Sequence, residues 1–323
     1  MKHSTVITSI ISILFMLQMY VNPGLIQRSY SDDRPYLSGK SERPIHEKAK
    51  QFLDKGDIEN AIKVYENTLT EFKPTEYCVM FVINNKIKIY RDRKIFDKAE
   101  QTLISLRDMP VTPTTLYGPD LTPYGLEREF TISHTLAQWY EESGNYEKAI
   151  EKRKEAIQWH HKLVNVTDYE AESKHALEPF NPEEMKAVMY LQSGPGELGT
   201  LYFKWDKYDL AREKYIEEIN YLTSDSTRTS IFAKLRPEYR LVWEEINPKI
   251  VFPIEIAQCY EKEGNYDKAL STAEQINKKI NDPEFKRQYE QFDAAKMRIE
   301  IIRDKDLLPL IVRCQEKLKI TPK

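Results

Sequence analysis

The stretch Ala137–Ile150, AQWYEESGNYEKAI, returns as AQCYEKEGNYDKAL at Ala257–Leu270, with nine of fourteen positions identical. A chain that repeats a phrase is constrained to fold as repeated units, because one unit cannot bury its own apolar face and needs the next copy to cover it. Each phrase reads as a helix, a tight turn and a second helix. Leu136, Ala137 and Tyr140 share one helical face, and Tyr146, Ala149, Ile150 and Ala156 share another. Gly144-Asn145 separates the two, since Gly and Asn tolerate the left-handed backbone that stops a helix. The small Ala149 lets the two helices approach closely.

Weaker copies follow the same grammar. ELGTLYFKWDKYDLAREKY carries Leu198, Gly199, Tyr202, Tyr208, Ala211 and Tyr215, with Asp206 where the turn glycine belongs. HEKAKQFLDKGDIENAIKVYENTL carries Ala49, Phe52, Gly56, Ile58, Ala61 and Tyr65. NNKIKIYRDRKIFDKAEQTL carries Tyr90, Phe96 and Ala99. The recurring Leu-Gly or Leu-Ala pair, the Tyr three residues on, the turn, and the Tyr and Ala of the second helix resemble the tetratricopeptide repeat (TPR), a unit of about 34 residues. The resemblance implies an all-α, right-handed helical solenoid that binds other proteins and rarely catalyses.

The spacing departs from a continuous array. The marker alanines stand at 61, 99, 149, 211 and 269, so gaps of 38, 50, 62 and 58 residues separate them. Insertions are expected at about 109–127, 164–196 and 223–253. The first is rich in proline and reads as an ordered loop bearing Tyr117 and Tyr124. The second holds a short helix from about Pro182 to Gln192. The third mixes a polar run with exposed-looking Tyr239, Leu241, Val242 and Trp243. A terminal helix pair, opened by an Asp282 cap and Pro283, is expected to present a polar face and close the stack. Residues 45–323 thus form the solenoid, about five helix pairs plus that cap, and residues 32–44 read as a polar linker with Pro35 and Pro44.

The start reads differently. Lys2 and His3 precede the uncharged run VITSIISILFMLQMYV at 6–21. Residues 1–31 therefore read as a cleaved export signal, with a retained membrane anchor or a misleading cytosolic start as alternatives. The expected compartment is periplasmic or otherwise extracytoplasmic. Over the whole chain, 31% charged residues and a formal net charge of −3 give no footprint for nucleic acid. The 3 cysteines, Cys78, Cys259 and Cys314, are too few and too scattered for a disulfide framework or a zinc site. Cys259 replaces Trp139 of the sister phrase, so it reads as a core residue.

No catalytic signature stands out, and no cofactor or metal is expected. His160 and His161 are adjacent on a helix, so their rings point about 100° apart. They could form an acid–base or metal site only with help from His175 or Glu183 and Glu184 in the insertion. SGPGELG at 193–199 lacks a phosphate-loop lysine and reads as a helix start. Some TPR proteins grip a carboxylate with Lys, Asn and Arg on successive first helices. His46, Lys50, Asn85, Thr131 and Thr135 occupy those positions here, and only Asn85 matches. A looser peptide groove would be lined by Lys50, Asn84, Asn85, Lys88, His134 and Gln138, with Tyr117, Tyr124, Tyr239 and Trp243 as loop anchors. The reading is a non-catalytic interaction scaffold or assembly subunit. Its partners are other proteins or further copies of itself, and it touches a membrane only through residues 6–21.

Overall fold

The computed structural model describes Pro35 and residues 37–72, 76–105, 123–175 and 180–320, and every regular element among them is helical. The chain divides into two compact units, Met1–Asp120 and Leu121–Lys323. The expected signal at 1–31 and the Tyr117 loop lie outside the described residues, as do the side chains of Tyr124 and His175.

In the first unit α1 (Gly39–Leu53) pairs with α2 (Ile58–Glu66), and α3 (Glu76–Asp92) pairs with α4 (Phe96–Ile104). The turn between α1 and α2 passes through Gly56 at φ 76°, and Asp57 then caps α2 by accepting from the Asn60 amide at 3.1 Å. Ala49 and Ala61 have no exposed surface, which is what close helix approach requires. Tyr65, Cys78, Val82 and Ile89 complete this core. The polar linker expected at 32–44 ends early. Ser38 starts α1, with its amide donating to Ser41 Oγ at 3.0 Å, and Pro44 lies inside the helix. The proline is tolerated because it forfeits only one ladder bond near the open start.

In the second unit α5 (Pro123–Glu142) and α6 (Tyr146–Val166) form the longest pair. Gly144 turns at φ 77° and Asn145 caps α6. The insertion after it folds into α7 (Tyr169–His175) and α8 (Pro182–Leu191), the latter capped by Asn181 through the amides of Glu183 at 3.0 Å and Glu184 at 3.2 Å. Next come α9 (Pro195–Lys204) and α10 (Tyr208–Thr223). Asp206 takes the turn position at φ 58°, a conformation that Asp tolerates better than most residues.

The third insertion is more ordered than the sequence suggested. Residues 225–230 form α11 (Asp225–Ser230), and a π-helical segment, Leu241–Val251, runs directly into α12 (Phe252–Lys262). Leu241 and Val242 pack on the C-terminal core and Trp243 packs beside Phe232, so these side chains are not a free aromatic loop. Their apolar area is worth more against the neighbouring helices than in water. Tyr239 alone of the four stays exposed, at 39%, with the Arg236 guanidinium 4.9 Å from its ring centre.

After α13 (Tyr266–Ile280), the chain closes with α14 (Pro283–Tyr289), α15 (Asp293–Ile302) and α16 (Leu308–Ile320). Asp282 caps α14 through the Phe285 amide at 2.9 Å, as its sequence position suggests. The terminal helices are less polar outside than expected. Ala295, Ile299, Leu310 and Cys314 fill the inward stripe, which leaves Met297, Leu308 and Val312 in water. All three cysteines are buried, reduced thiols.

Candidate partner-binding surface

The residues expected to line a groove fall in both units, and each unit treats them differently. In the first unit His46 on α1 touches Phe81 on α3 at 5.3 Å between ring centres and meets the Tyr65 hydroxyl at 2.9 Å. Lys50 stands one turn beyond His46, and Asn84 and Lys88 stand one and two turns beyond Phe81. All three are exposed. Asn85 is not available in the same way, because its side-chain amide donates to the Phe81 carbonyl at 2.7 Å and turns back on its own helix. What remains is a cationic and amide-bearing face across α1 and α3.

In the second unit the expected residues are consumed internally. His134 Nδ1 accepts from Arg153 at 2.8 Å, which places the ring proton on Nε2, 3.0 Å from the Gln138 side-chain amide, whose oxygen is the atom that can accept it. Arg153 also reaches Glu197 on α9 at 3.1 Å. Burial, then the positive charge of Arg153, then His160 drive the His134 pKa down to about 3, so the ring is neutral. His134 therefore joins α5 to α6, and through Arg153 to α9, while half-buried Gln138 reaches His134 on its own helix. Burial holds the Glu197 carboxyl above the usual carboxylate range even beside Arg153, because desolvation outweighs the attraction.

Further groups continue this inner seam. His160 is buried and its Nδ1 has no hydrogen-bond partner among the described residues. Burial, with His161 adding to it, lowers its pKa to about 4. His161 Nε2 donates to the Ser193 carbonyl at 2.8 Å. Glu218 on α10 accepts from the Gly196 amide at 3.1 Å, and burial raises its pKa to about 7. Lys204 pairs with Glu141, Arg212 with Glu263, and Arg313 holds both oxygens of Glu261 at 2.5 and 2.9 Å.

Among the described residues the alternative constellation at the insertions does not assemble; the His175 side chain lies outside them. Glu184 is buried against Arg236, accepting from its backbone amide and Nε at 2.9 Å each, while Glu183 faces Lys234 at 2.6 Å in the open. The His160 and His161 ring centres lie 6.3 Å apart. Among the described residues no three His, Cys, Asp or Glu side chains converge at metal-binding distance. An open depression of about 200 Å³ between Thr167–Glu170 and Pro182–Lys186 brings Glu170 and Glu183 to one rim, with no histidine in its lining.

Arg153, Glu197 and Glu218 were not singled out from the sequence, although a signal was present. Arg153 and His160 lie on the stripe 149, 153, 156, 160, 164, and Glu218 lies on the stripe 211, 215, 218, 222. A charged residue on an apolar stripe must find a partner inside.

No family model and no curated protein matches the chain. Two crystal structures of Podosopora anserina TPR-like repeats, named for kinesin light chain, are similar to it. The first has 16% identity and a TM-score of 0.37, covering 73% of this chain and 93% of that one. The second, a point variant of the same repeats, has 16% identity and a TM-score of 0.36, covering 75% and 96%. The TPR2AB domain of yeast Sti1, in its complex with pHSP90, has 16% identity and a TM-score of 0.25, covering 86% and 100%. The five helix pairs of this chain, which close on small residues and turn at Gly, Lys or Asp in the left-handed region, make it a TPR-like all-α repeat protein.

Proposed function

We propose that this protein is a non-catalytic scaffold or assembly subunit that holds other proteins through surfaces of its helix pairs. The observation that carries the reading is the contrast between the two units. The second unit uses its polar groove positions to join its own helices, whereas Lys50, Asn84 and Lys88 of the first unit form an exposed donor face on adjacent helices. Donor-rich faces suit extended peptides, whose backbone carbonyls and carboxylates accept hydrogen bonds. Export to an extracytoplasmic compartment is part of the proposal and is supported by the basic tip and uncharged run at 6–21.

The test is a mild-detergent pull-down of the native protein, with partners identified by mass spectrometry and stoichiometry by light scattering. One dominant partner at fixed ratio is expected, and Lys50→Glu with Lys88→Glu should weaken its capture at least tenfold. A partner-free monomer in every preparation would overturn the scaffold reading. The mature N-terminus, read by mass spectrometry in the same sample, should lie beyond residue 21. An intact Met1 in a cytosolic fraction would overturn the export reading.

A further inference from the structure

The second unit pairs its inter-helix arginines with acids. Arg153 meets Glu197, Arg212 meets Glu263, Arg236 meets Glu184 and Arg313 meets Glu261. Arg298 on α15 breaks this rule. It is half-buried, and among the described residues its one hydrogen bond runs from Nη2 to Asn247 Oδ1 at 2.9 Å. No carboxylate among the described residues lies within ion-pair distance of it. Burial alone, with no acid to oppose it, lowers its pKa from the ordinary arginine value. A desolvated cation held only by a neutral amide is a costly arrangement unless something else completes it.

The surroundings are built to present donors. Asn247 is 4% exposed, its oxygen is taken by Arg298, and its Nδ2 makes no hydrogen bond among the described residues. Nη2 carries two N–H groups and only one is taken by Asn247, so one of the two forks of the guanidinium, Nε with Nη2 or Nη1 with Nη2, stays open in the geometry that matches a two-oxygen acid. Asn247 sits in the π-helical segment Leu241–Val251, a backbone form frequently found at functional sites. Beside Arg298, Met297 is 60% exposed.

We infer that Arg298 and Asn247 form a carboxylate-binding site for an acidic side chain of a protein partner. The inference rests on the partner-binding reading above, and it adds a second, anionic specificity on a different unit from the Lys50 face.

The test uses the full chain and a fluorescein-labelled acetyl-tetraglutamate peptide, followed by anisotropy at constant ionic strength. The wild type should bind saturably. Arg298→Met should weaken binding at least tenfold, and Arg298→Lys, which keeps the charge but loses the fork, should fall between. Equal binding by wild type and Arg298→Met would overturn the site, as would absence of wild-type binding at millimolar peptide. Inorganic phosphate serves as competitor. Failure to displace the peptide supports a carboxylate-shaped site, whereas phosphate displacing it at equal concentration overturns the carboxylate assignment in favour of a general anion site. A retained native partner without peptide binding would sink this site and leave the scaffold reading intact. Peptide binding in a chain with no native partner would do the reverse.

Discussion

Gly199 on α9 is where the helix approach can be tested most directly. A Cβ built there would lie 2.6 Å from Cε1, 2.8 Å from Cδ1 and 3.0 Å from Cζ of Tyr215. Ordinary carbon contacts are about 3.5–4.0 Å, so the ring would have to retreat by roughly 1 Å. It has little room, because Tyr215 is 1% exposed and its ring lies against Phe252, 6.1 Å between centres. Overpacking of this kind costs about 1–3 kcal/mol. Alanine recovers up to about 1 kcal/mol of helix propensity, so Gly199→Ala should destabilise the second unit by about 1–2 kcal/mol. In thermal unfolding that corresponds to a fall of roughly 2–8 °C for a unit of this size. The rescue is specific. Adding Tyr215→Leu to Gly199→Ala should cost less than Tyr215→Leu alone, because the methyl group fills part of the space the ring leaves. Urea unfolding of the four proteins of this cycle gives the coupling energy. If Gly199→Ala were neutral or stabilising, the helices would be free to separate, and the account of the small residue as a packing requirement would fail.

Two further outcomes follow from the buried charges. Glu218 has its pKa raised to about 7 in the fold against 4.5 when unfolded, so its contribution to stability is full below pH 4.5 and is lost as pH rises to about 7. Glu218→Gln should therefore gain on the wild type across that window, reaching about 3 kcal/mol at neutral pH. His134 and His160 act in the opposite direction, since their lowered values add stability that is present above pH 6.5 and lost as pH falls through about 4 and 3. Glu255, whose pKa burial also raises to about 7, acts with Glu218, so two carboxyls oppose two histidines and the wild type should be nearly flat in urea midpoint from pH 4.5 to 6.5, while Glu218→Gln rises; a Glu218→Gln curve parallel to wild type would refute the assignment. Arg153→Met should cost about 2–3 kcal/mol in the same assay, below the usual 3–5 for a broken buried pair because the Glu197 side chain keeps 33% of its exposure. An unchanged midpoint would show that the pair contributes nothing.

The repeat itself was legible because its causes are local. A glycine at 56, 144 or 264 can take positive φ, the following Asp or Asn can cap the next helix, and an alanine at 61, 149 or 269 can be crossed closely. These properties belong to a residue and its neighbours within one turn, so they can be read without knowing what lies across the interface. Asp206 shows the same logic with a less obvious residue, since its φ of 58° keeps the turn where glycine was missing. The fate of polar side chains is not local. His134 and Gln138 occupy groove positions of the repeat, yet Arg153 from α6 and Glu197 from α9, 44 residues further on, draw them inward. Trp243 and Leu241 read as exposed until the helices that cover them are placed. Sequence alone determined that this chain folds as turn-separated helix pairs. Tertiary structure decided which of its charges are spent inside and which stand open, because a charge is satisfied or left over only by what distant chain brings within a few ångströms.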